Sequence, residues 1–280
     1  MRLGIFAKTF PGSHPAEVFK LTREAGFAEV QYNLACSGLG SMPLDIPGAA
    51  LGEILLASKV NGVAIAAVSG TYNMIHPDLA VRRDGHARLE VIAAACQGMG
   101  TNLITLCTGT RDAKDQWKEH PDNNSPEAWA DLLESMGTAI GIAEKHGVYL
   151  GIEPELANVV NSATKARALI DTLQSDRIRI VLDPANLFEV ASLESQRNTV
   201  AHAIDLLADR ITMGHAKDRH ADGRFATAGT GVLDYPHYLK QLQTVGFNGS
   251  LVTHGLSEHE AAGVSVFLRR ACGALGIALE

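Results

Sequence analysis

Short runs of aliphatic and β-branched residues alternate along the chain with longer amphipathic stretches. The stretch 126–146 follows Ser125, a residue type that often caps helix N-termini, and precedes Gly147, a residue type that often ends helices. We predict further helices over 15–25 and 257–272. The apolar runs are typical of strands buried in a parallel sheet, and they predict strands at residues 3–6, 29–32, 63–68, 103–107, 148–152, 178–182, 211–213 and 251–253.

Eight strands, each followed by a helical stretch, predict a closed parallel (β/α)8 barrel that occupies residues 1–280 as one domain. A doubly wound open sheet is the competing architecture, and it usually carries a glycine-rich phosphate loop after its first strand. Residues 7–14 (AKTFPGSH) contain no such loop. The segment 108–125 is long for a connection between a strand and a helix, and loops of this kind often form substrate walls.

Composition narrows the range of partners. The 280 residues are 46% hydrophobic and 20% charged, with a net charge of -7, so a sizeable core is expected and a duplex-binding surface is not. We therefore expect a small-molecule partner, with no nucleic acid and no membrane, and we leave a homo-oligomer open. Widely spaced cysteines, no signal-like segment and no apolar run of about 18 residues predict reduced thiols and a cytoplasmic location.

Polar residues follow four consecutive predicted strands at equivalent places. Glu153, Asp183, His215 and His254 are each about one strand–helix unit apart. The carboxyl ends of barrel strands converge on one opening, so these side chains are expected to meet there. Converging carboxylates and imidazoles favour a divalent cation, whereas an ion pair at a strand end is the ordinary alternative for any single residue.

Four motifs carry a resemblance to a known family: GIEPE at 151–155, LDPANL at 182–187, HAKD at 215–218 and GTGVLDYPHYLKQL at 229–242. With these motifs the chain resembles the xylose isomerase-like TIM barrel superfamily, which includes sugar phosphate isomerases and epimerases. The resemblance implies one divalent metal, with Mn²⁺ the leading candidate and Mg²⁺, Co²⁺ or Zn²⁺ as alternatives. It implies Glu153, Asp183 and His215 as ligands. The family's fourth ligand is a glutamate, but this chain has His254 at that position.

The resemblance also implies roles in catalysis. Glu153 is expected to ligate the metal and act as a base, His254 to ligate the metal or return the proton, and Lys217 to stabilise negative charge on the substrate. Glu155 is expected to point away from Glu153, because Pro154 lies between them at the end of the predicted strand. The predicted substrate contacts are Ser69, Asn73, His76, Arg111, Trp117 and Asn186. Each of them has an ordinary structural alternative, such as capping a helix or packing within a loop.

The predicted function is a metal-dependent isomerase or epimerase of a sugar or keto-sugar. Because family epimerases exchange the proton between two glutamates, His254 makes that symmetric mechanism less secure. A lyase or dehydratase acting on a keto-polyol or keto-glycoside is the nearest alternative. An abasic-site endonuclease of the same superfamily is a less favoured alternative, because it would need more metal ligands and a basic groove. A non-catalytic sugar-binding barrel is a further alternative.

Overall fold

Eight parallel strands in the computed structural model, which describes residues 1–280, close into a barrel. The order around the ring is β1-β10-β7-β6-β5-β4-β3-β2, so the last barrel strand pairs with the first and no edge is left open. The chain runs through β1 Arg2–Phe6, β2 Glu29–Tyr32, β3 Ala64–Ser69, β4 Leu103–Cys107, β5 Tyr149–Glu153, β6 Ile178–Leu182, β7 Ile211–Ala216, a short ribbon of β8 Asp218–Arg219 and β9 Phe225–Ala226, and β10 Ser250–Thr253.

The helices surround the barrel and confirm the predicted fold. At one predicted helix, Ser125 Oγ accepts the Ala128 amide at 3.1 Å, and Gly147 adopts a left-handed φ of 68° at the other end. No helix of the chain combines the length and the apolar character needed to cross a membrane. The helices are α1 Pro15–Glu24, α2 Gly48–Asn61, α3 Leu79–Met99, α4 Pro126–His146, α5 Ala163–Leu173, α6 Leu193–Leu207, α7 Tyr235–Thr244 and α8 Ala261–Ala274.

Two predicted elements have a boundary that differs from the structure by more than one residue. The strand predicted over 211–213 continues to Ala216, because Ala216 pairs with Thr253 of the neighbouring strand β10. The helix predicted over 257–272 begins later, at Ala261. A separate 3-10 turn precedes it, and Ser257 and Glu260 close that turn by reciprocal capping hydrogen bonds.

The barrel interior places the polar strand ends above an apolar layer. Val181, Met213 and Val252 belong to a small buried cluster together with Ala67 and Leu103. Because side chains alternate along a strand, the residues two positions further, just after β6, on β7 and just after β10, point to the same interior, one layer nearer the mouth. Those residues are Asp183, His215 and His254.

The loop after β7 is held rigidly at the barrel mouth. Asp218 accepts backbone amides from Gly229 at 3.0 Å, Gly231 at 3.1 Å and Leu233 at 2.9 Å, so one carboxylate fastens the whole loop. A side chain at Gly231 would place its Cβ 2.2 Å from the Arg219 carbonyl oxygen. Only glycine therefore fits where the loop crosses the ribbon.

Candidate metal centre at the barrel mouth

Glu153, Asp183, His215 and His254 meet at the barrel mouth. One potential ligand atom from each lies within 4.8 Å of all the others, and no other group of three or more such residues in the chain does this. His215 Nδ1 is 3.4 Å from Glu153 Oε1, and His254 Nε2 is 3.1 Å from Asp183 Oδ2. Asp183 and His215 are fully buried. The four residues predicted as metal ligands are thus brought together.

The imidazole of His215 carries the clearest sign of a cation site. Its Nε2 lies 2.9 Å from Gln31 Oε1, and an amide oxygen can only accept, so Nε2 donates the proton. Its buried Nδ1 has no hydrogen-bond partner and faces the carboxylates of Glu153 and Asp183. A bare lone pair facing two carboxylates is stable only with a positive charge between them. Two carboxylates and two imidazoles are a donor set that fits Mn²⁺, Zn²⁺ or Co²⁺.

Neighbouring polar groups hold the ligands in place. Asn186 Nδ2 donates to Glu153 Oε1 at 2.7 Å, and the Ala185 amide donates to Asp183 Oδ1 at 2.9 Å. Gln31 is itself oriented, because its Nε2 donates to Thr105 Oγ1 at 3.0 Å. Partners that fix the orientation of metal ligands are common in protein metal sites. The arrangement therefore favours a preformed centre.

The charges in this cluster keep Asp183 ionised. Burial alone would raise the pKa of its carboxyl, but the hydrogen bond from His254 and the ammonium of Lys217, 4.0 Å from Oδ2, hold that pKa well below its usual range. Burial and the neighbouring His215 lower the pKa of His254. Burial opposes protonation of His215, yet Glu153 and Asp183 raise its pKa overall. The charges that stabilise a proton on His215 equally stabilise a metal cation there.

A cavity of about 530 Å³ opens above this cluster. Ser69, Trp117, Asn186 and Lys217, all predicted site residues, line it together with Glu153, His215 and His254. The buried Asn186 presents an Oδ1 that has no hydrogen-bond partner. Pockets of roughly 300 to 1,000 Å³ commonly enclose small-molecule ligands. The cavity thus joins the candidate metal centre to a polar binding space.

Three predicted substrate contacts lie elsewhere. Asn73 donates to the Thr110 carbonyl at 2.8 Å and accepts the Thr110 amide at 3.0 Å, so both ends of its amide hold the long loop after β4. His76 contacts the Ala113 carbonyl at 3.1 Å, in the same loop. Arg111 pairs with Asp131 of α4 at 2.6 Å. None of the three lines the central cavity, because loop packing occupies their polar groups.

Glu155 points into the cavity, contrary to the prediction that it points away. Side chains two positions apart along an extended chain point to the same side, so Glu155 follows Glu153 into the cavity and Pro154 does not turn it away. Burial and the charge of Glu153 raise the pKa of Glu155 to about 7. A third carboxyl group therefore stands beside the two carboxylates of the candidate metal centre.

Gln31, Thr105 and Phe225 are site residues that the sequence analysis did not identify. Gln31 and Thr105 are polar residues inside short, fully buried strands, and their inward-facing positions were the available signal. Phe225 lies on the ribbon after β7, where the ammonium of Lys217 sits 3.3 Å from the centre of its ring. No periodic pattern in the sequence indicates that contact.

Comparison with known proteins identifies the family. Residues 19–266 match the model of the xylose isomerase-like TIM barrel, and the chain belongs to that family. No curated protein matches significantly.

Solved structures share the fold over nearly the whole chain. The apo form of 3-keto-D-glucoside 4-epimerase from E. coli is 18% identical, with a TM-score of 0.76, and the match covers 97% of this chain and 100% of that one. For D-psicose 3-epimerase from Clostridium cellulolyticum H10 the identity is 16%, the TM-score 0.73 and the coverage 97% and 99%. A xylose isomerase domain protein from Planctomyces limnophilus is 16% identical, with a TM-score of 0.75 and coverage of 98% and 96%.

Proposed function

We propose that this protein is a metal-dependent isomerase or epimerase of keto-sugars. The observation that carries the proposal is the buried cluster of two carboxylates and two imidazoles, in which His215 Nδ1 lacks a partner, at the floor of a polar cavity. The similarity in fold to sugar epimerases supports the substrate class. The carbohydrate is proposed to be a small molecule bound within the barrel mouth.

Glu153, Asp183, His215 and His254 would hold one divalent cation, with Mn²⁺ proposed first and Mg²⁺, Co²⁺ or Zn²⁺ as alternatives. When bound, such a cation supplies Lewis-acid polarisation, which makes a C–H bond beside a substrate carbonyl more acidic. The remaining chemistry falls to the side chains of the chain itself.

Glu153 is the proposed base. Asn186 donates a hydrogen bond to Oε1 of Glu153, whereas Oε2 of Glu153 accepts none. Glu153 lines the cavity. Oε2 is therefore available to accept a proton from the substrate. Asn186 and Ser69, which both line the cavity, are proposed as further polar contacts to the substrate.

His254 and Lys217 complete the proposed machinery. The ammonium of Lys217 lines the cavity and makes no hydrogen bond, so its charge is available to a substrate oxygen that becomes negative as the proton leaves. His254 is proposed to return the proton or to remain a metal ligand. It occupies the place where the family has a second glutamate.

A lyase is the second candidate function, and His254 is the observation that favours it. An imidazole at this position can donate a proton to a departing hydroxyl or alkoxide, after the same first abstraction by Glu153. An abasic-site endonuclease is less favoured, because the chain has one potential ligand cluster and a net charge of -7.

Incubation with keto-hexoses and 3-keto-glucosides in deuterated water, with Mn²⁺ added, tests the proposal. Incorporation of one deuterium beside the carbonyl, in an otherwise intact carbon skeleton, is the expected result. Release of water or of an alcohol would identify the lyase instead. Absence of both exchange and elimination across the panel, with each alternative metal tried, would refute the proposed enzyme and favour a non-catalytic sugar-binding barrel.

A further inference from the structure

Aromatic side chains are exposed at one place only. Trp117 is 51% exposed and Phe225 is 47% exposed, and every other phenylalanine, tyrosine or tryptophan of the chain is buried or half-buried. Both exposed residues line the cavity above the candidate metal centre. Exposing large apolar surface to water is unfavourable, and exposed apolar surface beside a cavity commonly marks a binding site.

Trp117 is held at the rim by its own loop. Its backbone amide donates to Asp115 Oδ1 at 2.9 Å, and the carbonyl of the next residue, Lys118, accepts a hydrogen bond from Thr110 Oγ1 at 2.8 Å. The backbone is therefore fixed on both sides of the exposed indole. The indole also borders a neighbouring cleft of about 450 Å³, so it has open space beside it.

Phe225 is held at the rim by a different loop. It pairs with Arg219 in the antiparallel ribbon of β8 and β9. The ammonium of Lys217 lies 3.3 Å and the guanidinium carbon of Arg219 lies 4.1 Å from the centre of its ring. Contacts between cations and an aromatic ring are attractive, so they keep Phe225 beside the cavity rather than folded onto the protein surface.

The cavity therefore changes character with depth. Its floor is the buried polar set that contains Glu153, His215 and Asn186, and its exposed rim carries Trp117 and Phe225. A volume of about 530 Å³ lies within the range of roughly 300 to 1,000 Å³ for pockets that enclose drug-sized ligands. A ligand that matches both zones has hydroxyls at one end and a flat apolar group at the other.

We infer that the site accepts a sugar that carries an aromatic substituent, that is, an aryl glycoside or its keto form. The sugar ring occupies the polar floor and the aryl ring contacts Trp117 and Phe225. An aryl group presents two flat apolar faces, which suits aromatic side chains from two separate loops, whereas a second sugar ring carries hydroxyls around its perimeter. This inference rests on the proposed function, because it places the sugar at the candidate metal centre.

Binding of phenyl glucoside and methyl glucoside to the Mn²⁺-loaded protein, measured by isothermal titration calorimetry, tests the inference without requiring turnover. We expect the phenyl compound to bind on the order of tenfold more tightly. The double variant Trp117→Ala, Phe225→Ala should reduce this ratio to about one, whereas Trp117→Phe should preserve most of it. Val190→Ala is the matched control: Val190 is an exposed apolar residue, 68% accessible, outside the cavity, and the ratio should not change.

Equal affinities for the two probes, failure of both to bind, or a preference that survives the double substitution would overturn the inference. If a disaccharide binds as much more tightly than methyl glucoside as the phenyl compound does, the inference is overturned, and the rim binds a second sugar ring instead. Deuterium exchange in a keto-sugar without any phenyl preference would leave the proposed function standing. A phenyl preference in a protein that exchanges no hydrogen would remove the catalytic role and leave the aryl-binding site.

Discussion

Gln31 is the residue whose replacement most directly tests the candidate metal centre. Its Oε1 accepts the proton of His215 Nε2 at 2.9 Å, and its Nε2 donates to Thr105 Oγ1 at 3.0 Å. Gln31→Leu keeps a side chain of similar size but removes the acceptor. His215 then has no partner that keeps its proton on Nε2 and leaves Nδ1 free for a cation.

The size of the effect follows from these two contacts. A buried donor left without an acceptor costs about 1–3 kcal/mol. Loss of the partner that orients a metal-binding histidine typically weakens metal affinity by about 10- to 100-fold, which corresponds to about 1.4–2.7 kcal/mol. The unpaired donor is present with and without the metal, so its cost lowers folding stability, whereas the lost orientation acts on metal binding. We therefore expect Gln31→Leu to weaken Mn²⁺ binding by about 10- to 100-fold.

Calorimetric titration of the purified protein with Mn²⁺ measures this effect independently of any enzymatic activity. Gln196→Leu is the matched control, because Gln196 is equally buried and donates to the Ala191 carbonyl at 3.0 Å, but it lies outside the cluster and its cavity. The control should lose folding stability without losing Mn²⁺ affinity. Wild-type affinity in Gln31→Leu, or an equal loss of affinity in Gln196→Leu, would refute the assignment of the tautomer and of the metal centre.

Three further predictions concern the proposed base, the cation and the capping contact of Glu260. Glu153→Gln removes the proposed base and should slow deuterium exchange by about 10²- to 10⁴-fold; unchanged exchange by NMR would exclude that role. Mn²⁺ at 100 times its Kd should stabilise the protein by about 2.7 kcal/mol and raise Tm by several degrees. The Tm of Asp183→Asn should not rise with Mn²⁺, and a rise in that variant would contradict the ligand assignment. Hydrogen bonds from Ser257 and Thr227 lower the pKa of Glu260 to about 2, so its contribution is present above about pH 4.3 and is lost as pH falls toward 2. Glu260→Gln should therefore lower Tm at pH 7 but not at pH 2, and a difference that persists in acid would argue against this capping contact.

The sequence by itself determined the barrel and the ring positions of the four clustered residues. Strand and helix periodicities are local, so they can be seen without the tertiary structure, and the strand predicted over 103–107 matches β4 at both ends. The four clustered residues lie at the carboxyl ends of neighbouring barrel strands, and closure of the ring necessarily brings such positions to one opening. Their convergence is therefore a consequence of topology.

Only the tertiary structure decided which groups surround the cluster. Gln31 and His215 are 184 residues apart and meet across the barrel, and that contact leaves Nδ1 free. Asn73 closely follows the strand β3, yet both ends of its side-chain amide are occupied by hydrogen bonds to Thr110 in the loop after β4. These outcomes depend on hydrogen bonds between loops distant in sequence, which no local pattern encodes, and the same is true of the loop that places Phe225 at the rim.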